Sequence, residues 1–303
     1  MAEYLEGSCG DTVFRKFGEL NDLLIAVYHI ATYGGCEFGC TYCDAWSYSD
    51  QPINSKIYSY RDLPGRLPGE LKNVEPGEAI GFTLGDPYQP AEKRYRITRR
   101  ILELLKENGR PVIILTKSPS VREDLELIKE MNADSFAIVA TTLVTLDDSL
   151  LSRLESRVPA PEERIRTIGT FKKAGIPCGF VLNPVIPYFT DNRQHMFNLL
   201  ETVAKVSPDF VVWDYLWIPN DRYRKRMVNF LGDSNIIGKL DALYGNNPQP
   251  ASEYRGNMDR FLIESCRKLG LEPRIPAGIY QKHLHPGKVL QLKERRTVFL
   301  ADK

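Results

Sequence analysis

The sequence predicts an α/β fold, a six-stranded parallel (β/α)6 partial TIM barrel with a C-terminal helical cap. First, short apolar runs rich in β-branched residues alternate with amphipathic helical patterns between residues 23 and 218, which is typical of a parallel sheet. Second, six such strands can be counted, which suits a partial barrel better than a closed eight-stranded one. Third, the alternation stops after residue 218, where the pattern becomes helical.

The predicted strands are separated by helices or long loops. The strands cover residues 23–32, 79–84, 111–116, 134–143, 177–182 and 210–215. The helices between them cover residues 91–108, 121–131, 161–174 and 191–206. Residues 47–78 contain several Pro and Gly with little periodicity, so we expect a long irregular connection there.

Three parts of the chain follow from this pattern. Residues 1–22 form an N-terminal extension, residues 23–218 the partial barrel, and residues 219–303 a helical cap and tail. The last part has helical patterns at 222–231, 236–244 and 253–269, followed by a tail with Pro and Gly. We interpret it as a cap on the barrel rather than an independent domain.

Composition excludes several classes of protein. The chain has 303 residues, with 40 Lys and Arg against 39 Asp and Glu and a net charge of +1, so binding to nucleic acid or anionic lipid through bulk charge is excluded. The amino-terminal residues lack the basic and apolar segments of a signal peptide, and no apolar run approaches the ~20 residues of a membrane span. We therefore expect a cytoplasmic protein with no membrane partner and reduced cysteines.

The cysteines carry the most information about function. Three of the six lie within eight residues, Cys36, Cys40 and Cys43, in a C-x3-C-x2-C spacing on a Gly-containing loop after the first predicted strand. Three thiolates this close together can hold one side of a cubane [4Fe-4S] cluster and leave the fourth iron open. An open iron can bind a small molecule, which is a catalytic arrangement.

Two other interpretations of the cysteines are possible. Zinc sites usually present paired C-x2-C or Cys/His spacings, and the remaining cysteines and the four histidines are scattered singly. A buried apolar trio does not suit a polar, Gly-containing loop. The spacing therefore favours an iron–sulfur cluster over zinc or purely structural cysteines.

At this point the sequence resembles a known superfamily. The motif C-x3-C-x-aromatic-C, with Tyr42 as the aromatic residue, opening a (β/α)6 pattern, resembles the radical S-adenosylmethionine (SAM) enzymes. Over residues 33–192 the chain is similar to the spore photoproduct lyase-like family. The motifs that carry this second resemblance are Gly35-Cys36, Asp86-Pro87-Tyr88-Gln89-Pro90-Ala91-Glu92-Lys93, Thr98-Arg99, Thr116-Lys117-Ser118 and Pro184-Val185-Ile186-Pro187. The resemblance implies the fold, the [4Fe-4S] cluster and SAM as cofactors.

The sequence also departs from that family. Photoproduct lyase uses a cysteine in its second-strand region as a hydrogen donor, and residues 81–86 of this chain contain no Cys. Phe38 stands where many relatives carry His, and Asp44-Ala45-Trp46 replaces their usual sequence after the third cysteine. We therefore expect a member of the lyase-like family that is not the lyase itself.

The resemblance also implies where SAM binds. Gly85 and Asp86 follow the second strand, where the superfamily contacts the SAM amino group, although Asp86 before Pro87 equally suits a simple turn. Lys117 and Ser118 follow the third strand, where the resemblance implies contact with the SAM carboxylate.

Four further candidates for binding SAM lie at strand ends and on the cysteine loop. Thr141 and Thr142 end the fourth strand and suit the ribose hydroxyls, or are structural β-branched residues. Asn183 ends the fifth strand, where backbone groups of the superfamily often meet adenine. Tyr42 either packs near the adenine or orders the loop.

The resemblance implies a reaction but no substrate. SAM is cleaved reductively to a 5′-deoxyadenosyl radical, which abstracts hydrogen from an organic substrate, and a reductant such as flavodoxin or ferredoxin is the expected partner. Candidate catalytic residues are Asp86, Tyr88 and Tyr215. The alternatives are the same chemistry directed at nucleic acid, which the charge balance does not favour, and a non-catalytic iron–sulfur or zinc protein.

Two basic runs remain, residues 94–100 and 222–226. Each interleaves arginines with a tyrosine, as phosphate-binding surfaces do. Each also falls in a helical pattern of a nearly neutral chain. We therefore expect solvated helix faces whose arginines pair with nearby carboxylates.

Overall fold

The computed structural model describes residues 2–16, 23–232 and 234–292. Its strands are β1 (Glu3–Gly7), β2 (Phe14–Lys16), β3 (Tyr28–Ile30), β4 (Tyr33–Gly34), β5 (Lys56–Tyr60), β6 (Ile80–Phe82), β7 (Val112–Leu115), β8 (Ala137–Thr142), β9 (Cys178–Val185) and β10 (Phe210–Tyr215). Its α-helices are α1 (Leu63–Leu71), α2 (Ala91–Tyr95), α3 (Ile97–Glu107), α4 (Leu125–Asp134), α5 (Asp148–Leu154), α6 (Pro161–Lys173), α7 (Arg193–Ala204), α8 (Asp221–Leu231), α9 (Ser234–Tyr244), α10 (Ser252–Leu269) and α11 (Ala277–Tyr280). Short 3-10 helices lie at Asp44–Ser47 and Pro119–Asp124.

The main sheet is mostly parallel, as predicted. Among the described residues it has seven strands, in the order β10-β9-β8-β7-β6-β3-β2. Strands β3 and β6 to β10 pair in parallel and coincide with the six predicted strands, whereas β2 pairs antiparallel with β3 at the edge. The predicted count of six therefore omits β2, since a three-residue strand leaves almost no periodic pattern in a sequence.

Side-chain alternation along the strands gives the sheet two different faces. In β8, Val139 packs in the cluster that also holds Leu102 of α3 and Ile168 of α6, so it faces the outer helices. Its neighbours Ile138 and Ala140 pack in a second cluster on the opposite, inner face. The outer face therefore carries the helical layer, and the inner face forms the barrel interior.

A second, smaller sheet has the order β1-β5-β4. Strand β1 pairs in parallel with β5, and β4 pairs antiparallel with it. The N-terminal segment thus supplies two strands, β1 and β2, while residues 1 and 17–22 of the predicted extension lie outside the described residues.

The predicted irregular connection at residues 47–78 is wrong, because it contains β5 and α1. Helix α1 has Pro at its second and sixth positions and two glycines, which conceal it in the sequence. Leu63, Leu67 and Leu71, spaced four residues apart, are buried on one face. Their burial drives the helix despite Pro68, which costs an intrahelical hydrogen bond.

The predicted helix over residues 91–108 is divided in two. Arg96, between α2 and α3, has a φ of 52°, in the left-handed region that ends an α-helix. The side chain of Glu92 then accepts hydrogen bonds from the backbone N–H groups of Thr98 and Arg99, at 3.0 and 3.1 Å, and caps the start of α3.

The segment after β10 packs in three places. Tyr223 and Met227 of α8 and Tyr244 of α9 share a cluster with residues of the cysteine loop. Helix α10 packs on the outer layer beside α7. Tyr280 of α11 and the following Leu284 pack against the inner face of the main sheet.

Residues 293–303 of the predicted tail lie outside the described residues. No helix among the described residues is long and apolar enough to span a membrane.

Candidate active site

The cysteine loop runs from β4 to β5, so the small sheet holds both of its ends. The N–H of Cys36 donates to the carbonyl oxygen of Ile53 at 2.8 Å, which ties the start of the loop to its return. Gly35 has a φ of +80°, and a Cβ there would lie 2.5 Å from the carbonyl oxygen of Lys56. The chain therefore requires glycine before the first cysteine.

A second set of contacts joins this loop to the segment after β6. The N–H of Glu37 donates to Oε1 of the fully buried Gln89 at 2.9 Å, and Oε1 of Glu37 accepts from the N–H of Ala91 at 2.7 Å. Tyr4 of β1 donates its hydroxyl to Oε2 of Glu37 at 2.8 Å. Gln89 belongs to a motif quoted from the sequence, but its contact with Glu37 was not predicted, because the two residues lie 52 positions apart in the chain.

The three thiols are held close together with little exposure to solvent. Cys40 is buried, while Cys36 and Cys43 are partly buried. Burial raises the pKa of Cys36, and the negative charges of Asp86, Cys40 and Cys43 raise it further. Burial, with Asp44 and Cys40, raises the pKa of Cys43 to about 12. Three thiolates in this loop therefore need a cationic centre to compensate their charge.

This donor set fits an iron–sulfur cluster. Within residues 2–16, 23–232 and 234–292, no group of three or more His, Cys, Asp or Glu side chains meets around one point that a single ion could occupy. A cubane takes one thiolate at each of three irons, so its ligands surround the cluster and do not converge on one atom. Soft thiolates are also the ligands that iron–sulfur clusters select.

A buried polar chain connects the cysteine loop to the carboxyl end of β8. Tyr42 donates its hydroxyl to Glu155, whose other oxygen pairs with Nη2 of Arg164 at 2.7 Å. Nη1 of Arg164 donates to the carbonyl oxygen of Thr142 at 2.7 Å. Glu155 and Arg164 are only 1% exposed. Tyr42 thus ties the loop to Glu155 and Arg164, which sequence reasoning missed, and its packing near adenine stays a prediction.

Lys117 lies at the inner side of this arrangement. Its ammonium nitrogen is 5.7 Å from the centroid of the Tyr42 ring, a cation–π distance. Burial by itself lowers the pKa of Lys117, but the negative charges of Cys40 and Glu155 outweigh it, so the pKa is raised. The structure therefore places the Lys117 amine, with a raised pKa, beside the second cysteine of the motif.

The carboxylate of Asp86 joins the ends of β6 and β7. Oδ1 accepts from the N–H of Tyr88 at 2.9 Å and the hydroxyl of Thr116 at 2.6 Å, and Oδ2 accepts from the N–H of Lys117 at 2.7 Å. Burial raises the pKa of Asp86, although these hydrogen bonds act to lower it. The turn expected at Asp86-Pro87 is present, and the carboxylate also positions Lys117. Gly85, with a φ of +71°, brings this segment close to the carbonyl oxygen of Gly35.

The other candidates for binding SAM differ in their surroundings. Ser118 accepts a hydrogen bond from the N–H of Ser120 and caps the 3-10 helix after β7. Alternation along β8 places Thr142 on the inner face and Thr141 on the outer one, where its hydroxyl is buried with no hydrogen-bond partner among the described residues. Asn183 follows the inward Val181 by two residues, so it also lies on the inner face.

The two tyrosines considered as catalytic lie on the outer side of the sheet. Tyr88 donates its hydroxyl to Oδ2 of Asp124 at 2.9 Å, and Tyr215 donates to Oδ1 of Asp259 in α10 at 2.5 Å. Both rings belong to the cluster between the sheet and the outer helices. Their hydroxyls therefore have structural partners outside the barrel interior, of which Asp124 is buried and Asp259 is partly buried.

Comparison with known families decides the class of this site. The model of the radical SAM superfamily matches residues 30–200, which include the cysteine loop and β6 to β9. This match covers more than half of the chain. The chain belongs to the radical SAM superfamily. Membership implies an enzyme with a [4Fe-4S] cluster that cleaves SAM reductively.

Curated relatives resemble this radical SAM protein over part of their length. An uncharacterised protein of Mycobacterium tuberculosis is 33% identical over 187 residues, which are 58% of this chain and 55% of the relative. An uncharacterised protein of Methanocaldococcus jannaschii is 30% identical over 167 residues, 55% of this chain and 63% of the relative. The matched segments thus span little more than half of each relative.

Solved structures show the same fold at low sequence identity. Spore photoproduct lyase complexed with dinucleoside spore photoproduct has a TM-score of 0.66 and 12% identity, covering 88% of this chain and 79% of the lyase. SuiB of Streptococcus suis bound to precursor peptide SuiA has a TM-score of 0.52 and 14% identity, covering 81% of this chain and 47% of SuiB. The fold of this radical SAM protein is therefore that of a lyase-like partial barrel.

Proposed function

We propose that Cys36, Cys40 and Cys43 ligate the [4Fe-4S] cluster of this enzyme and that SAM binds at the remaining iron. The observation that carries the proposal is the set of three adjacent, shielded thiols on a loop clamped at both ends. When bound and reduced, the cluster supplies one electron that cleaves SAM to methionine and a 5′-deoxyadenosyl radical, which abstracts a hydrogen atom from an organic substrate.

The chain's own residues bind and orient the cofactor. In this proposal Lys117, whose pKa is raised by the neighbouring Cys40 and Glu155, pairs with the SAM carboxylate. The carboxylate of Asp86 accepts three hydrogen bonds, and its remaining lone pair, on Oδ2, is available to the SAM ammonium. Thr142 and Asn183 lie on the inner face, the side from which ribose and adenine are reached in a parallel barrel. Ser118, Gly85 and the outward Thr141 act by shaping the strand ends.

The buried chain from Tyr42 to Thr142 positions the cysteine loop against β8. Because Glu155 and Arg164 are fully shielded from water, their pairing is strongly favoured over any arrangement that separates them. The loop therefore keeps one orientation towards the interior, as a site that must hold a radical away from solvent requires. Flavodoxin or ferredoxin remains our proposal for the electron donor.

A lyase acting on nucleic acid is the second candidate function. The observation in its favour is the fold shared with spore photoproduct lyase. Against it, the described cysteines outside the motif lie away from the inner face: Cys178 and Cys266 are buried in the outer cluster, and Cys9 packs beside it. We therefore propose an organic substrate other than the DNA photoproduct.

The test of the main proposal is SAM cleavage by anaerobically purified, reduced protein. We expect 5′-deoxyadenosine by chromatography and a changed EPR spectrum of the reduced cluster on addition of SAM. S-adenosylhomocysteine, which lacks the sulfonium, is the control and should give no product. An intact reduced cluster whose EPR spectrum does not respond to SAM would show that the fourth iron is not a SAM site.

A further inference from the structure

A cavity on the outer surface is lined almost entirely by arginine. Arg61 follows β5, Arg94 and Tyr95 end α2, and Arg100 lies in the first turn of α3. These four side chains line a cavity of about 230 Å³. Three guanidinium groups thus face one small volume, although the chain as a whole is nearly neutral.

Aromatic rings hold two of these guanidinium groups in place. The guanidinium carbons of Arg61 and Arg94 each lie 5.2 Å from the centroid of the Tyr95 ring. Arg94 is also 6.0 Å from the centroid of Tyr4, which meets Tyr95 edge to face at a centroid distance of 6.0 Å. Stacking on Tyr95 leaves the N–H groups at the guanidinium edges free for hydrogen bonds.

The positive charge of this cavity is largely uncompensated. Arg61 pairs with Glu6 at 2.6 Å, but both side chains are more than half exposed, so the pair contributes little. In the part of the chain that the structure describes, Arg94 and Arg100 have no carboxylate within ion-pair distance. Among the described ion pairs, the expectation that the run at residues 94–100 pairs with carboxylates is confirmed for Arg96 and Arg99.

The other cavity beside a basic run does not share this property. It is lined by Trp46, Arg222 and Arg226 together with residues 49–52, and Arg222 already pairs with Asp50 at 2.9 Å. Arg226 stacks on Trp46 at 3.8 Å. By contrast, among the residues that the structure describes, the charged side chains lining the cavity of Arg61, Arg94 and Arg100 are all cations.

We propose that the cavity of Arg61, Arg94, Tyr95 and Arg100 binds an oxyanion of the phosphate class. Convergent guanidinium groups repel one another unless an anion lies between them, and their forked N–H groups match phosphate oxygens in charge and geometry. A phosphate there accepts hydrogen bonds from two or three arginines at once. The phosphate group belongs either to a phosphorylated small molecule or to the phosphodiester backbone of a nucleic acid. This site does not depend on the proposed SAM chemistry.

The test measures binding of inorganic phosphate by equilibrium dialysis to the full-length, cluster-loaded protein at fixed ionic strength. The pocket variant carries Arg61→Gln, Arg94→Gln and Arg100→Gln. The control variant carries Arg157→Gln, Arg260→Gln and Arg267→Gln, exposed arginines elsewhere that remove the same charge. We expect the wild type and the control to bind one phosphate per chain, and the pocket variant to bind at least about tenfold more weakly.

A short single-stranded oligonucleotide is the second probe. If the oligonucleotide displaces phosphate from the arginine-dependent site, the cavity binds a phosphodiester. If phosphate binds but the oligonucleotide does not displace it, the cavity binds a small ligand. The proposal is overturned if neither probe binds, or if the pocket and control variants bind equally. The substituted side chains are exposed at the surface, so circular dichroism should show all three proteins equally folded.

Discussion

Glu155 and Arg164 form an ion pair of 2.7 Å in which both side chains are 1% exposed. Because desolvation offsets the attraction between the charges, such a pair adds only modestly to the free energy of unfolding. Removal of one partner, however, leaves an uncompensated buried charge. Because Glu155 also accepts the Tyr42 hydroxyl, the pair links the stability of the whole domain to the placement of the cysteine loop.

The first prediction concerns this pair. We expect Glu155→Gln to lower the free energy of unfolding by about 3 kcal/mol, because Arg164 keeps its charge without a counter-ion. Glu163→Gln, which removes a carboxylate from the more exposed pairs with Arg122 and Arg166, should cost less than about 1 kcal/mol. Urea unfolding followed by circular dichroism measures both. A similar small loss for the two variants would contradict the structural role assigned to Glu155.

The second prediction concerns the cluster ligands. Protein purified anaerobically should contain about four irons and four sulfides per chain, and Ala in place of Cys36, Cys40 and Cys43 together should abolish them. Cys178→Ala is the matched control, because that thiol is buried in the outer cluster beside the carbonyl oxygen of Ile168. Iron and sulfide analysis tests this directly. Retention of a full cluster by the triple variant would overturn the assignment.

The third prediction concerns Lys117. Replacing it with Gln removes the cation beside Cys40, so we expect the KM for SAM to rise by about tenfold with a smaller effect on kcat. The exposed Lys129→Gln serves as the control and should leave both constants unchanged. Initial rates of 5′-deoxyadenosine formation give the two constants. An unchanged KM for the Lys117 variant would argue against contact with the SAM carboxylate.

The fourth prediction concerns pH. Burial lowers the pKa of His29, whose Nδ1 lies 2.6 Å from Oγ1 of Thr83. The folded protein therefore binds a proton on His29 less readily than the unfolded chain does. Its contribution to stability is present above the unfolded pKa of about 6.5 and is lost as the pH falls below it. Between pH 7.5 and 5.5 the wild type should lose more unfolding free energy than His29→Gln, and parallel pH profiles would exclude this contribution.

The fifth prediction concerns the reaction that the fold suggests. We expect negligible conversion of a dinucleoside spore photoproduct to thymidylyl-thymidine under conditions where SAM is cleaved. The second-strand region at residues 81–86 carries no thiol. The hydroxyls of Tyr88 and Tyr215 are engaged with Asp124 and Asp259. Chromatography measures the amount of thymidylyl-thymidine formed. Multiple turnovers of repair would contradict the prediction and would show that another group donates the hydrogen atom.

The sequence predicted those features that depend on local pattern. The parallel strands were recognisable because runs such as Val112–Leu115 are apolar and β-branched, and the cysteines because their spacing is short. Helix α1 was missed because Pro68 and two glycines conceal three buried leucines. The pairing of Glu155 with Tyr42 was missed because it joins residues that lie far apart in the chain and are brought together only by the tertiary fold.

The parallel pairing of β1 with β5 has a consequence for the order of events during synthesis. β1 precedes β5 in the chain, and the whole cysteine loop is made between them. Tyr4 likewise cannot reach Glu37 in its final position until that pairing closes. The small sheet therefore cannot clamp the loop before residue 60 has left the ribosome, and a rigid site for iron and sulfide forms only after that point.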